Sequence, residues 1–260
     1  MYHEEYYANF GNMSVEEYVQ TCFLTAEQID RFIQIVDMIP DDVESILDVG
    51  AGLGHLLEYV EKRKGIKGLG IEITDAKIEY ARERGIDLRK GDASDLQFPD
   101  KSFDIVVSCE VIEHLPYGVY EKALKEIARV SRKYVLIEVP FDEKRRFVRC
   151  PYCGATSHPS YHMRSYNERT MESLFPSARL IEMKKIGRMR EPVFADLLSY
   201  IPQRSWPPLL VCPSCGYRNQ NPSKDTKKEV KSLFILRLLR SFPIFYRTKP
   251  SSIVCLYSHE

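Results

Sequence analysis

Three glycines at alternate positions mark a place where a ligand could approach the backbone closely. They follow the apolar run Ile46–Val49, which contains Asp48, and they are Gly50, Gly52 and Gly54. Glycine permits a sharp turn and has no Cβ that would clash with a ligand. The run is typical of a buried strand, and His55–Lys64 predicts a helix whose first N–H groups face the same point. Such a strand–turn–helix unit predicts a nucleotide-like ligand at the carboxyl end of the strand.

The glycine spacing disfavours two common phosphate-binding loops. The dinucleotide fingerprint G-x-G-x-x-G would need a glycine where His55 stands, and the Gly-Lys-Ser/Thr of a phosphate loop is absent. The pattern present is D-x-G-x-G-x-G, from Asp48 to Gly54. It resembles motif I of the class I S-adenosylmethionine-dependent methyltransferases. The resemblance implies that the glycines make room for the methionine moiety of that cofactor.

Further motifs continue the resemblance in the same order. Glu72 ends a second apolar run, Gly68–Ile73, where the family uses a carboxylate to accept the ribose hydroxyls. Asp92-Ala93 closes a third strand, where the family places an acidic residue against the adenine amino group. Glu110 follows the predicted strand Phe103–Cys109, at a position that faces the methyl group in many class I enzymes. The resemblance therefore implies S-adenosyl-L-methionine as the cofactor.

The remaining elements complete the fold that this resemblance implies. We expect an α/β, Rossmann-like fold with a seven-stranded sheet. The other predicted strands are Tyr134–Pro140, Ala178–Ile186 and Ser252–Ser258, the last of them antiparallel in the family's topology. The other predicted helices are Asp75–Arg84, Val119–Val130 and Asn167–Phe175, the last with Asn167 as its cap.

We expect four segments along the chain. Residues 1–40 form an N-terminal helical cap, whose two helices begin at the capping boxes Ser14-x-x-Glu17 and Thr25-x-x-Gln28. Residues 41–187 form the methyltransferase core, and residues 251–260 its final strand. Between them, residues 188–250 form an insertion, which we interpret as a lid on the substrate side.

Four of the seven cysteines form two near-identical knuckles with the pattern C-P-x-C-G. They are Cys150, Cys153, Cys212 and Cys215. Two C-x-x-C pairs suit one tetrahedral zinc ion, because each short loop brings two sulfurs to the same point. We therefore predict one structural Zn²⁺ in a zinc-ribbon-like site, although 58 residues separate Cys153 from Cys212. Two disulfides or a redox-active pair are the alternatives.

Methyl transfer often requires a base that takes a proton from the acceptor. The cluster Glu110-x-x-Glu113-His114 follows the fourth strand. It resembles two metal-dependent groups, the small-RNA 2′-O-methyltransferases and the ubiquinone-pathway O-methyltransferases. In those groups a divalent cation lowers the pKa of an acceptor hydroxyl, which leaves Mg²⁺ open as a second metal here. The alternative is that Glu113 and His114 only cap the following loop and helix.

A second cluster of candidate bases lies after the fifth strand and includes His158. The segment His162-Met-Arg164-Ser-Tyr166-Asn167 resembles an H-x-R-x-[FY]-[ST] pattern of methyltransferases that act on sugars and small secondary metabolites. The resemblance implies His162 as a base and Arg164 as an anchor. We predict Glu113, His114 and His162 as the catalytic residues, and the alternative for His162 is a purely structural role.

The composition of the chain limits the kinds of partner that we expect. The 37 basic residues balance 37 acidic ones, so no overall field attracts nucleic acid. No apolar run is long enough to span a membrane, and the first residues are unlike a secretory signal, which favours a cytoplasmic protein. Residues 224–249 carry eight basic and two acidic residues in an amphipathic pattern. That pattern fits either an ordinary surface helix or a peripheral membrane contact.

The acceptor class follows from the residues after the fourth strand. They read Ser108-Cys109-Glu110-Val111, where enzymes that methylate amino groups of nucleobases carry N-P-P-Y. We therefore expect a hydroxyl of a small molecule or glycan to be methylated. The alternatives are an RNA-modifying methyltransferase that grips nucleic acid with the zinc ribbon, or a non-catalytic interaction protein that retained the fold.

Overall fold

The computed structural model describes residues 25–145, 147–192, 206, 211–217 and 246–259. The chain divides into two compact units. The sheet unit comprises Ser14–Asp142, Tyr166–Gly187 and Pro250–Glu260, and the knuckle unit comprises Met1–Met13, Glu143–Ser165 and Arg188–Lys249. The helix predicted from Ser14 and most of the basic segment 224–249 lie outside the described residues. The predicted division into four segments stays a prediction.

Regular elements are numbered along the chain. The helices are α1 (Ala26–Asp37), α2 (His55–Lys64), α3 (Asp75–Glu83), α4 (Val119–Val130) and α5 (Glu168–Glu172). The first five strands are β1 (Ile46–Val49), β2 (Leu69–Glu72), β3 (Leu88–Lys90), β4 (Phe103–Cys109) and β5 (Ser131–Pro140). The others are β6 (Val148–Arg149), β7 (Thr156–Ser157), β8 (Arg179–Ile186), β9 (Met189–Pro192), β10 (Tyr246–Lys249) and β11 (Ser252–Ser258).

Seven strands of the sheet unit form one sheet, in the order β3-β2-β1-β4-β5-β11-β8. The strands β1 to β5 pair in parallel, and β11 runs antiparallel between β5 and β8. The predicted α/β, Rossmann-like fold with seven strands is therefore confirmed, including the antiparallel direction of Ser252–Ser258.

Local sequence explains the two elements that begin the sheet unit. At the start of α1, the Thr25 hydroxyl accepts the N–H of Gln28 at 3.2 Å, as the capping pattern predicts. The residues Phe32, Ile35 and Val36 recur at helical spacing and are buried, so one face of α1 packs against the core. Strand β1 is buried along its whole length, as a continuous apolar run predicts for a strand covered on both faces.

One predicted strand begins earlier than its apolar pattern indicates. Strand β5 starts at Ser131 and not at Tyr134, and Ser131 pairs with Phe103 of β4. The charged residues Arg132 and Lys133 conceal this start, because they break the apolar run. Pairing with the neighbouring strand, which the local sequence does not report, extends β5 through them.

The knuckle unit contains two short antiparallel pairs, β6 with β7 and β9 with β10. Its apolar centre is built on Val148 and Trp206, which pack with Cys150 and Cys212. Within the described residues, no helix has both the length and the apolar character that crossing a membrane requires.

Candidate functional site

The predicted glycine loop joins β1 to α2 and is tied to the neighbouring strand. The N–H groups of Gly50 and Ala51 both donate to the carbonyl of Ile71 in β2, at 2.8 and 3.0 Å. All three glycines adopt positive φ, at 81° for Gly50, 58° for Gly52 and 78° for Gly54. Only glycine adopts this conformation without strain. The loop is therefore held against the carboxyl end of the sheet by its own backbone.

The three glycines meet different surroundings. A Cβ on Gly50 would lie 2.4 Å from Val111, and one on Gly54 would lie 2.8 Å from Ile86. These two positions are therefore closed by packing. A Cβ on Gly52 would meet no heavy atom within 4 Å, so this glycine borders open space. The loop thus offers a backbone cradle at Gly52 that any larger side chain would fill.

Two carboxylates predicted to bind the cofactor are held in place by hydrogen bonds. The buried carboxylate of Glu72 accepts the N–H of Gly52 at 3.0 Å and those of Ile73 and Thr74 at 2.9 Å each. After β3, Asp92 and Ala93 lie in a turn in which Asp92 accepts the N–H and the hydroxyl of Ser94, both at 2.8 Å. Glu72 therefore connects β2 directly to the glycine loop.

Asp48 is the third carboxylate of this edge and lies within β1. Burial and, to a lesser extent, the negative charge of Glu72 together raise its pKa to about 7. Near neutral pH the Asp48 carboxyl therefore exchanges a proton easily. A cation that binds at this edge would favour its ionised form.

Glu110 is held in a strained conformation by an ion pair that the sequence did not reveal. Its φ is 55°, which is rare for a residue other than glycine. Its N–H donates to the carbonyl of Glu138 at 2.9 Å. The guanidinium of Arg31, on α1, donates to the carboxylates of both Glu110 and Glu138 at 3.1 Å each. No local sequence pattern indicates this role of Arg31, because its partners lie 79 and 107 residues away.

The ion pair of Arg31 with Glu138 is largely buried, whereas the Glu110 side chain is partly exposed. Burial opposes the charge of Arg31, but the carboxylates of Glu138 and Glu110 outweigh it, and its pKa lies above the usual value. The carboxylate of Glu138 is fully buried. Arg31 therefore balances the buried negative charge of Glu138, and it also pairs with the partly exposed carboxylate of Glu110.

Glu113 and His114, two of the predicted catalytic residues, lie in the turn after β4. Glu113 is fully buried, and its Oε1 lies 3.8 Å from Nε2 of His114. The His114 N–H donates to the carbonyl of Val111 at 3.0 Å, which closes the turn. A carboxylate beside an imidazole can share and transfer a proton. The turn therefore contains the type of group that general base catalysis requires.

His162, the third predicted catalytic residue, belongs to the knuckle unit, where it pairs with a residue that the sequence analysis did not select. Its Nδ1 hydrogen bonds to Glu143. The ring of His158 stacks on that of His162, with ring centroids 5.0 Å apart. Both histidines are buried. The knuckle unit therefore contains a compact cluster of one carboxylate and two imidazoles.

The four predicted metal ligands converge in the knuckle unit. The sulfurs of Cys150 and Cys215 are 3.8 Å apart, and those of Cys153 and Cys212 are 3.6 Å apart. A tetrahedral ion with bonds of about 2.3 Å to each sulfur places its ligands about 3.8 Å apart. A disulfide would need about 2.05 Å, and all four cysteines are free. The cluster therefore has the dimensions of a four-thiolate metal site and not of two disulfides.

The two knuckles close their backbones in the same way. In each knuckle the backbone carbonyl of the first cysteine accepts the N–H of the glycine. Gly154 donates to Cys150 at 3.0 Å, and Gly216 donates to Cys212 at 2.9 Å. Both glycines have positive φ, 77° and 70°, which explains why glycine follows each second cysteine. The sulfurs of Cys150 and Cys212 also accept hydrogen bonds from backbone N–H groups. In each knuckle the donors are the residues two and three positions after the first cysteine. Such bonds stabilise thiolates and thus favour metal binding.

Comparisons with known proteins agree with this geometry. A protein-family model described as a methyltransferase domain matches residues 47–137. Ajmaline N-methyltransferase of Rauvolfia serpentina is 29% identical over 174 residues, which cover 62% of this chain and 52% of that enzyme. The probable chloroplastic tocopherol O-methyltransferase of Oryza sativa subsp. japonica is 34% identical over 105 residues, which cover 36% of this chain and 28% of that enzyme. The matches thus span about half of the first enzyme and less of the second.

A solved structure extends the comparison to the whole fold. The S-adenosylmethionine-dependent methyltransferase from Archaeoglobus fulgidus superposes with a TM-score of 0.56 at 16% identity, and the match covers 93% of this chain and 97% of that one. Residues 47–137 thus match a methyltransferase-domain model, and the chain has the fold of this solved methyltransferase. The open cradle at Gly52 lies beside the Glu72 carboxylate, which accepts the Gly52 N–H.

Valine at position 52 should abolish cofactor binding. The side chain of Gly52→Val would fill the cradle, so calorimetry should detect no binding of S-adenosylmethionine. The matched control is Gly65→Val at the end of α2, because Gly65 also has positive φ, 71°, and also borders open space. Both variants carry the same backbone strain, but only Gly52→Val should lose affinity. Equal affinity of the two variants would contradict the assignment of the cradle.

Proposed function

We propose that the protein transfers a methyl group from S-adenosylmethionine to a hydroxyl of a small molecule or glycan. The observation that carries this proposal is the cradle at Gly52, which is bordered by the fixed carboxylate of Glu72 and left open by the packing around it. S-adenosylmethionine supplies a methyl group that its sulfonium already activates. The protein must then align the acceptor, exclude water and accept a proton.

We assign the proton transfer to Glu113, His114 and His162. Glu113 is fully buried beside His114, so this pair can hold a proton away from water. His162 has a carboxylate partner in Glu143, which is how enzymes commonly orient a basic imidazole. Histidine titrates in the physiological range and therefore suits a base that must release its proton after each turnover.

The choice of acceptor rests on the relatives and on the residues after β4. Two relatives are named for small organic molecules, one as an N-methyltransferase and one as an O-methyltransferase. The residues Ser108–Val111 lack the N-P-P-Y tetrapeptide, so we favour a hydroxyl over an amino group. An RNA substrate and a non-catalytic role are the competing hypotheses.

Transfer of labelled methyl groups tests the acceptor class. The protein is incubated with labelled S-adenosylmethionine and with separate extracts of small metabolites, glycans and RNA. We expect label in the metabolite or glycan fraction. Label in RNA alone would replace our proposal with the RNA-modifying alternative. No transfer to any fraction, together with no binding of the cofactor, would support a non-catalytic protein.

We further propose that Cys150, Cys153, Cys212 and Cys215 hold one Zn²⁺ with a structural role. The sulfur separations and the repeated backbone closure support this assignment. Four thiolates leave no open position on the ion, as is typical of structural and not catalytic zinc. A catalytic Mg²⁺ at Glu110, Glu113 and His114 is less well supported, because Arg31 already neutralises the carboxylate of Glu110.

Elemental analysis should find about one zinc per chain. Cys212→Ser should remove that zinc and increase amide hydrogen exchange at residues 148–157 and 211–217, with little change in the sheet unit. Cys109→Ser is the matched control, because Cys109 lies in β4 and outside the cluster, and it should retain the zinc. A purified protein without metal but with disulfides among these cysteines would refute the assignment.

Replacing a proton acceptor should reduce turnover without affecting cofactor binding. We expect His162→Ala or His114→Ala to lower kcat by about a hundredfold or more, which is the usual contribution of a positioned base. The affinity for S-adenosylmethionine should stay unchanged in calorimetry. His259→Ala, which follows β11, is the control and should keep full activity. Full activity in a triple alanine variant of Glu113, His114 and His162 would show that none of them is required.

A further inference from the structure

Glu143, His158 and His162 form a cluster in which the positions of the protons can be worked out. Its potential ligand or proton-carrying atoms all lie within 4.8 Å of one another. Both imidazoles are buried, with 7% of His158 and 8% of His162 exposed. Each proton in such a cluster needs a donor and an acceptor, so the hydrogen bonds determine where the protons are.

The carboxylate partner of His162 determines which ring nitrogen carries the proton. Its Nδ1 lies in hydrogen-bond contact with Glu143. Burial alone would raise the pKa of Glu143, but the hydrogen bond and charge of His162 outweigh it and the pKa is lowered, with further help from His158 and Lys249. The carboxylate is therefore ionised at neutral pH and can only accept. The proton of a neutral His162 must then lie on Nδ1, which leaves Nε2 as the nitrogen that can take up a proton.

Backbone hydrogen bonds determine which ring nitrogen of His158 carries the proton. Its Nδ1 accepts the N–H groups of Ser160 and His162, at 3.2 and 3.3 Å. Its own proton therefore lies on Nε2, which is 3.8 Å from Oε1 of Glu143. Burial, with smaller effects of His162 and Arg145, lowers the pKa of His158 to about 4, against the attraction of Glu143. His158 is thus a neutral ring whose Nε2–H lies near the same carboxylate, at a distance too long for a direct hydrogen bond.

The positions of these protons indicate a hydrogen-bonded cluster and not a second metal site. A neutral histidine that binds a metal through Nε2 carries its proton on Nδ1 and donates it. In His158, Nδ1 faces two backbone N–H groups, so a proton there would meet other donors. Coordination by His158 would therefore require the backbone turn at Ser160 to open.

The cluster is fastened on both sides by the chain around it. The hydroxyl of Ser165 donates to the carbonyl of Glu143 at 2.5 Å, and the Arg145 guanidinium donates to the carbonyl of Met163 at 2.6 Å. Next to His162, the Tyr161 hydroxyl donates to the carbonyl of Val211 at 2.6 Å and accepts its N–H at 2.9 Å. Val211 precedes a knuckle cysteine, Cys212, so the second knuckle helps to hold the histidine segment.

We propose that Glu143 is a positioning residue that fixes the tautomer and orientation of His162. Its carboxylate holds the imidazole proton on Nδ1 and presents Nε2 as the proton acceptor. This is the role that a carboxylate plays behind the histidine of a catalytic triad. The catalytic meaning of this role rests on the proposed function of His162, whereas the tautomer can be measured without any activity.

The tautomer is tested by ¹⁵N NMR on the full-length protein with labelled histidine. The six histidines are distinguished with the variant His162→Asn. We expect His162 to show the Nδ1–H signature in the unaltered protein, although free histidine prefers its proton on Nε2. In Glu143→Ala the signature should shift toward Nε2–H, and Glu143→Gln, which keeps an acceptor oxygen, should recover part of it. An Nε2–H signature of His162 in the unaltered protein would overturn the proposal, and sequential resonance assignment of the unaltered protein identifies that signal even if every variant fails to fold.

Kinetics and metal analysis separate this proposal from its competitors. Glu143→Ala should lower kcat by about tenfold or more with an unchanged KM, and Glu143→Gln should restore part of the loss. Glu168→Ala removes a carboxylate that pairs with Lys185 in the sheet unit and should change neither the rate nor the tautomer. A second divalent ion per chain that disappears in Glu143→Ala would overturn the proposal, because Glu143 would then be a metal ligand. An active His162→Ala variant would refute the proposed base but not the measured tautomer.

Discussion

Negative charge accumulates at one edge of the sheet, and much of the site is arranged to accommodate it. Five consecutive parallel strands end there, and each brings a carboxylate at or near its end: Asp48, Glu72, Asp92, Glu110 and Glu138. Buried like charges repel strongly. Three features reduce this repulsion. Backbone N–H groups donate to Glu72, and the guanidinium of Arg31 pairs with Glu110 and Glu138. The raised pKa of Asp48 favours its neutral form. A cofactor with a positive sulfonium suits such an edge, and its demethylated product has lost that charge.

The parts that depend on local sequence were predicted well. Helix α2 and strands β4 and β11 have the predicted bounds, because each is an uninterrupted pattern between clear breaks. The glycine loop was also predicted, since positive φ at Gly50, Gly52 and Gly54 is a property of single residues. The knuckles belong to the same class: a five-residue pattern contains both cysteines and the glycine that closes the turn.

The parts that depend on distant pairs could not be predicted. Arg31 sits on a helix that the sequence identified, but nothing local shows that it pairs with Glu110 and Glu138. Glu143 was not among the predicted site residues, because its contact with His162 spans 19 residues. Arg31 and Glu143 both matter because of what the fold places beside them. A residue type predicts the chemistry that is available, whereas the tertiary contact determines the protonation state.

The position of β11 has a consequence for the growing polypeptide. This fully buried strand inserts between β5 and β8, yet 111 residues separate it from the end of β5. At about 5 to 20 residues per second, the ribosome needs about 6 to 20 s to supply it. Throughout that interval β5 presents an open edge, the kind of surface that recruits other strands. A nascent chain that stalls before residue 252 therefore contains every strand of the cofactor edge, but the edge of β5 that pairs with β11 has no partner strand yet.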